Sequence, residues 1–192
     1  MIIDDDFLTK EEIENIEKLM IYSQEFPWYL NPVLNNKDYL DSVKYSFPNE
    51  KNIGDGFQFN HGFYSNYTKS SYFDLSFHIF LKFMTKHEIK SRSIVRCKAN
   101  LTTQKSENSL ISPHIDYHFD HKVFLYYVND SDGDTIIYNE TWSEEKQQSN
   151  LTEKCRVTPK SGRGILIDGL TYHSPQSPII TPFRAVINFV FV

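Results

Sequence analysis

The run Pro113-His114-Ile115-Asp116 places an imidazole and a carboxylate two positions apart. On an extended chain, positions i and i+2 project to the same side. His114 and Asp116 can therefore face one ion while Ile115 packs away. Such triplets are common, and this one gains weight from His173, which lies just beyond the hydrophobic run 163–168. Two imidazoles and one carboxylate on one face of a divalent metal leave three coordination positions open, whereas zinc favours four-coordinate sites with at most one. Eleven positions after His173 comes Arg184, at the start of RAVINFVFV. Alternation puts Arg184, Val186, Asn188 and Val190 on one side of that segment. An Arg on the inner face of an apolar strand requires an anion. A ligand carboxylate offers a bidentate match; the alternative is a salt bridge to an internal Asp or Glu.

The elements that must carry these residues fall into two halves. Residues 1–91 read as helical and loop-rich, and residues 92–192 as a β-rich core of the same single domain. Thr9 and Glu12 form a capping box ahead of Ile13, Ile16 and Met20, which predicts a helix near 9–22. A second helix, opened by Ser71, is expected near 71–88, with Phe73, Phe77, Phe80 and Met84 on one face. Residues 23–56 read as loop, with Trp28, Tyr29 and Leu30 as docking residues. Strands are expected at 57–63, from 92 through 101, and at 122–128, 134–138, 163–168 and 184–192. Short strands at such intervals indicate a sandwich, barrel or jelly roll. His61 reads as a structural strand residue, and His78 and His87 as ordinary helix residues. His118 and His121 are rival candidates for the place of His114, or residues at the mouth of the site.

The formal charge is −5 and no basic patch is visible, which disfavours a nucleic-acid partner. Cys97 and Cys155 have neither metal-finger spacing nor a disulfide framework around them. No stretch reaches the about 18 apolar residues of a membrane span, and the opening MIIDDDF lacks a signal-peptide pattern. The expectation is a soluble cytoplasmic protein with no membrane partner.

The stretch 112–192 resembles the prolyl 4-hydroxylase-like branch of the 2-oxoglutarate/iron(II) dioxygenases. The matching pieces are His114-x-Asp116, LYYVND at 125–130, Gly133-Asp134-Thr135, PKSGRGILIDG at 159–169, Tyr172-His173-Ser174, and Arg184 followed by VINFVF. The opening IIDDDFLTKEEIENI is similar to the first strand and helix of that branch. Prolyl hydroxylases often carry Lys where this chain has Arg184, and Asp134 stands in place of the commoner Glu.

The resemblance implies an α+β, mainly β fold: a double-stranded β-helix, or jelly roll, with N-terminal helices against one sheet. It implies iron(II) held by His114, Asp116 and His173, with 2-oxoglutarate as cosubstrate and dioxygen as oxidant. Arg184 is implied at the distal carboxylate of 2-oxoglutarate, with Tyr127 lining that pocket; Asn188, on the Arg184 face, is expected to join them. The implied activity is hydroxylation of a C–H bond, with a peptidyl proline as the leading substrate and a free amino acid or other small molecule as the alternative. Nucleic-acid demethylation fits the acidic balance poorly. Two further classes stay open: an idle jelly roll used for binding or assembly, and a zinc hydrolase, for which no general base is evident. Selectivity is expected on loops 23–56, 103–112 and 139–154, with a second cosubstrate contact from Asn100 or Thr102 left open.

Overall fold

A computed structural model of the chain describes residues 1–31, 57–106, 110–144 and 150–192. The expected loop therefore lies outside the described residues over 32–56, as do 107–109 and 145–149. Eleven strands and two α-helices are described: β1 Ile2–Asp4, α1 Lys10–Glu17, β2 Tyr29–Asn31, β3 Gln58–Ser65, β4 Thr68–Lys69, α2 Phe73–Lys86, β5 Ile94–Thr103, β6 Lys122–Tyr127, β7 Thr135–Thr141, β8 Glu153–Val157, β9 Gly164–Asp168, β10 Thr171–Pro175 and β11 Phe183–Phe191.

The strands form two antiparallel sheets. The larger runs β1-β9-β6-β11-β5-β3-β2, with β4 beside β3, and the smaller runs β10-β7-β8. The fold is the mainly β jelly roll expected, with the helices packed on the outer face of the larger sheet. Alternation along the strands separates the two faces. Cys97, Ala99, Phe124, Tyr126, Ala185, Ile187, Phe189 and Phe191 join Phe7, Ile16, Met20, Ile79, Phe80, Phe83 and Met84 in a core shared with the helices. Val123, Leu125, Tyr127, Ile165, Ile167, Val186 and Val190 turn the other way and meet Ile137 and Val157 of the smaller sheet.

The Thr9 capping box is present: the Glu12 amide donates to Thr9 Oγ1 at 3.3 Å, and the Thr9 amide donates to Glu12 Oε2 at 2.7 Å. The helix then widens into a π-turn over Lys18–Tyr22. Ile13 of α1 lies against Gly162, whose φ is +85°. A Cβ there would fall 2.4 Å from the Ile13 Cδ1, so only glycine satisfies both the turn and the helix approach.

Four sequence expectations need correction. Ser71 does not cap the second helix: α2 begins at Phe73 after Tyr72, with no side-chain cap. Tyr29 and Leu30 belong not to a loop but to a strand, β2, and are 60% and 58% exposed. Trp28 docks, donating its indole N–H to the Met20 carbonyl at 2.8 Å, and the Tyr29 ring stacks on His61 at 6.2 Å. The third correction concerns the expected loop at 139–154, which contains the end of β7 and the start of β8. The fourth is β10, a strand absent from those expected, which follows the run 163–168 and carries His173.

Candidate metal centre and its anion pocket

Two of the three predicted donors are fixed by backbone pairing. His114 and His173 form an isolated antiparallel bridge. The His114 amide donates to the His173 carbonyl at 2.9 Å, and the His173 amide donates to the His114 carbonyl at 3.0 Å. Their rings lie 4.8 Å apart between centroids. In each, Nδ1 faces a carbonyl: that of Ser112 at 2.9 Å for His114, and that of Thr171 at 3.1 Å for His173. A carbonyl only accepts, so Nδ1 carries the proton and Nε2 keeps its lone pair in both neutral rings. That is the tautomer a metal ligand needs. Burial and the neighbouring His114 pull the His173 pKa down to about 4, against the pull of Asp116.

Asp116 completes the group. Its Oδ2 stands 3.9 Å from His173 Nε2 and accepts from Asn188 Nδ2 at 3.3 Å. Its Oδ1 is taken by the Arg96 guanidinium, which also lies over the Tyr117 ring. Burial alone would raise this carboxyl; Arg96 and the two imidazoles outweigh it and hold the group well below the usual carboxylate range. Among the described residues, no three acidic, histidine or cysteine side chains already close on one point as a metal cluster. The donor set nevertheless fits an iron(II) ion. It offers two imidazole Nε2 atoms and one carboxylate oxygen from one side, with outer partners on every donor.

These groups open onto a cavity of about 310 Å³ between the two sheets, lined among others by Gln58, Arg96, Lys98, Asn100, Thr102 and Arg184. Arg184 sits at one end, 2% exposed. It donates from Nε to the Gly133 carbonyl at 2.8 Å and from Nη2 to Thr135 Oγ1 at 2.7 Å. No Asp or Glu pairs with it among the described residues, so the internal salt bridge is not the arrangement found. Burial lowers its pKa, with Tyr127 and Asp134 opposing. A buried guanidinium held only by neutral acceptors is arranged for an incoming anion. Tyr127 lies beside it, ring 5.5 Å from the guanidinium carbon, and donates its hydroxyl to Thr135 Oγ1 at 2.6 Å. Asn188 is four positions along β11 from Arg184 and touches Asp116, so it sits at the donor end of the cavity rather than at the Arg184 end.

The rivals are not part of this group. His118 is exposed and lies against Trp142. His121 is buried against Gly169, with Nδ1 facing the Phe119 carbonyl at 2.6 Å. His61 bridges the Pro27 carbonyl and Ser70 Oγ, each at 3.0 Å, as a structural residue. His78 and His87 reach back to Glu12 and Asp4, each at 2.7 Å, and tie α2 to the N-terminal segment. Four contributors were missed in the sequence: Arg96, Lys98, Thr135 and Gln58. Arg96 and Lys98 alternate with Cys97 and Ala99, but a polar row on a strand reads equally well as a solvent face. Nothing in their spacing shows that a second sheet covers it.

No family model and no curated sequence matches the chain. Its likeness to solved structures is in the fold. It covers 77% of the non-haem α-ketoglutarate-dependent epimerase SnoN from nogalamycin biosynthesis over 100% of its own length, at TM-score 0.61 and 11% identity. It covers 94% of the viral collagen prolyl hydroxylase of Paramecium bursaria Chlorella virus-1, determined with 2-oxoglutarate, over 99% of its length at TM-score 0.53 and 13% identity. It covers 91% of a Pseudomonas putida prolyl 4-hydroxylase over 99% of its length, at TM-score 0.53 and 11% identity. The chain thus shares the jelly-roll fold of these proteins, with its paired imidazoles, Asp116 and Arg184 opening onto the cavity between the sheets.

Proposed function

We propose that the chain is an iron(II)- and 2-oxoglutarate-dependent oxygenase that hydroxylates a C–H bond. One observation carries this reading: two imidazoles and a carboxylate line one end of a cavity whose other end holds a buried Arg with no acidic partner among the described residues. In this reading His114, Asp116 and His173 hold the metal. Arg184 and Thr135 take the distal carboxylate of 2-oxoglutarate, and Tyr127 orients Thr135 through its hydroxyl. Leu125 and Val186, on the cavity wall, exclude water from the cosubstrate's carbon chain. Iron(II), 2-oxoglutarate and dioxygen together supply oxidative decarboxylation coupled to hydroxylation. The protein's part is to fix the orientation and to keep the pocket dry.

A peptidyl proline is the leading substrate, supported by the fold shared with two prolyl hydroxylases. A free amino acid or other small molecule is the second reading, supported by the fold shared with an epimerase of a biosynthetic pathway. The test is anaerobic titration with iron(II) and 2-oxoglutarate. The expected result is a metal-to-ligand absorption band in the native chain, absent from His173→Ala, with succinate formation lost alongside it. No band in the native chain would leave the idle binding jelly roll as the better reading.

A further inference from the structure

β5 turns Arg96, Lys98, Asn100 and Thr102 into the cavity. Register with β11 sets Thr102 opposite Arg184 and Lys98 opposite Asn188. Lys98 and Arg184 are therefore four positions apart along the sheet, about 13 Å at the usual strand rise. Lys98 stands at the donor end, on the side toward β3. Arg96 is engaged by Asp116, whereas Lys98 has no hydrogen bond or ion pair among the described residues. Arg96 Nε, Asn100 Oδ1 and Asn188 Oδ1, all on lining residues, are buried without partners among the described residues, and of the three Arg96 Nε is the donor that an anion can satisfy.

The charge balance is one-sided. Three cations face one carboxylate among the described lining residues, an excess of two positive charges inside a chain of net charge −5. Iron(II) and dianionic 2-oxoglutarate cancel one another, so loading both leaves the excess in place. On the proposed reading both carboxylates of the cosubstrate are already used, one at Arg184 and one at the metal. A half-buried ammonium whose carboxylate neighbour, Asp116, is already engaged by Arg96 is costly to maintain unless a ligand completes it.

We propose that Lys98, flanked by Arg96 and Asn100, forms a second anion subsite that takes a carboxylate or phosphate group of the substrate itself. The inference rests on the oxygenase reading for the word substrate, but the subsite is testable without turnover. The substrate, peptide or small molecule, then carries an anionic group on the β3 side of the metal.

The experiment is calorimetric titration of the protein, supplied with zinc(II) and 2-oxoglutarate, with probe pairs differing only in charge. The pairs are N-acetylproline against N-acetylprolinamide and glycerol phosphate against glycerol, which separate a carboxylate source from a phosphate source. The expected result is an affinity at least about tenfold higher for one anionic member than for its neutral partner. Lys98→Gln should remove that preference and Lys98→Arg should retain it. Equal affinities within both pairs in the native chain overturn the proposal, as does a Lys98→Gln loss confined to 2-oxoglutarate. If the iron and 2-oxoglutarate band fails to form while the charge preference persists, the oxygenase reading fails and the subsite stands.

Discussion

The larger sheet has two faces built from the same strands, and they obey different rules. On the helix side, β11 contributes Ala185, Ile187, Phe189 and Phe191 to an aromatic core. On the cavity side, the alternate positions are Arg184, Val186, Asn188 and Val190, two of them polar and buried. One face stabilises by excluding water from rings. The other carries unsatisfied and charged groups whose partners are not all supplied by the described residues. A protein tolerates such groups where a ligand completes them. The comparison teaches that stability and binding can be separated by a single step along a strand.

The largest separation is expected between Phe83 and Arg184. Phe83 is fully buried, its ring 4.3 Å from Phe124 and 5.1 Å from Phe7. Phe83→Ala should cost about 3–5 kcal/mol of unfolding free energy, read from urea titration. Arg184→Met should do the reverse. Removing a buried charge for an apolar side chain of similar length leaves stability unchanged or raised, while 2-oxoglutarate binding weakens by about 2–5 kcal/mol. A parallel loss of stability in Arg184→Met would merge the two faces and end the distinction.

Thr135 tests the join between them at finer scale. Its hydroxyl serves both Arg184 and Tyr127, so Thr135→Val removes an acceptor that two buried donors share. The expected cost is about 1–3 kcal/mol in thermal unfolding, with saturating 2-oxoglutarate restoring part of it by occupying Arg184. Denaturation curves with and without the cosubstrate decide the point.

The smallest effect belongs to the rim, where Arg163 and Lys160 hold Asp5 beside β1. Arg163 is the main cause of an Asp5 pKa near 2, and the Thr9 cap of a Glu12 pKa near 2. Both folded values are depressed, so their contribution is present above about pH 4 and is lost as pH falls toward 2. Asp5→Asn should remove about 1 kcal/mol at neutral pH, allowing for solvent screening, and flatten the acid limb of a stability–pH profile.

How far the sequence discloses this arrangement differs by element. The α1 capping box and the period-two runs of β6 and β11 are local signals, and each appears where expected. That His114, Asp116, His173 and Arg184 line one cavity was legible from their order along the chain, which is that of the resembling branch; the bridge at His114 and the bend at Asp116, in place of a regular strand, were not. β10 was not legible: TYHSP has no alternation of apolar and polar residues, and its pairing with β7 is supplied by the sheet. The pocket role of Arg96 and Lys98 was hidden for a related reason. A polar row on a strand says which side it faces, not what lies across from it, and here the smaller sheet does.

The reciprocal backbone bonds between His114 and His173 have a consequence for how the site would be assembled. Residues 59 positions apart are joined into one unit, the spacing of their imidazoles set by paired backbone. Asp116, by contrast, is held by side chains alone. On the proposed reading His114 and His173 would hold the ion from paired backbone, and Asp116 would hold it with a carboxylate that also answers to Arg96 and Asn188.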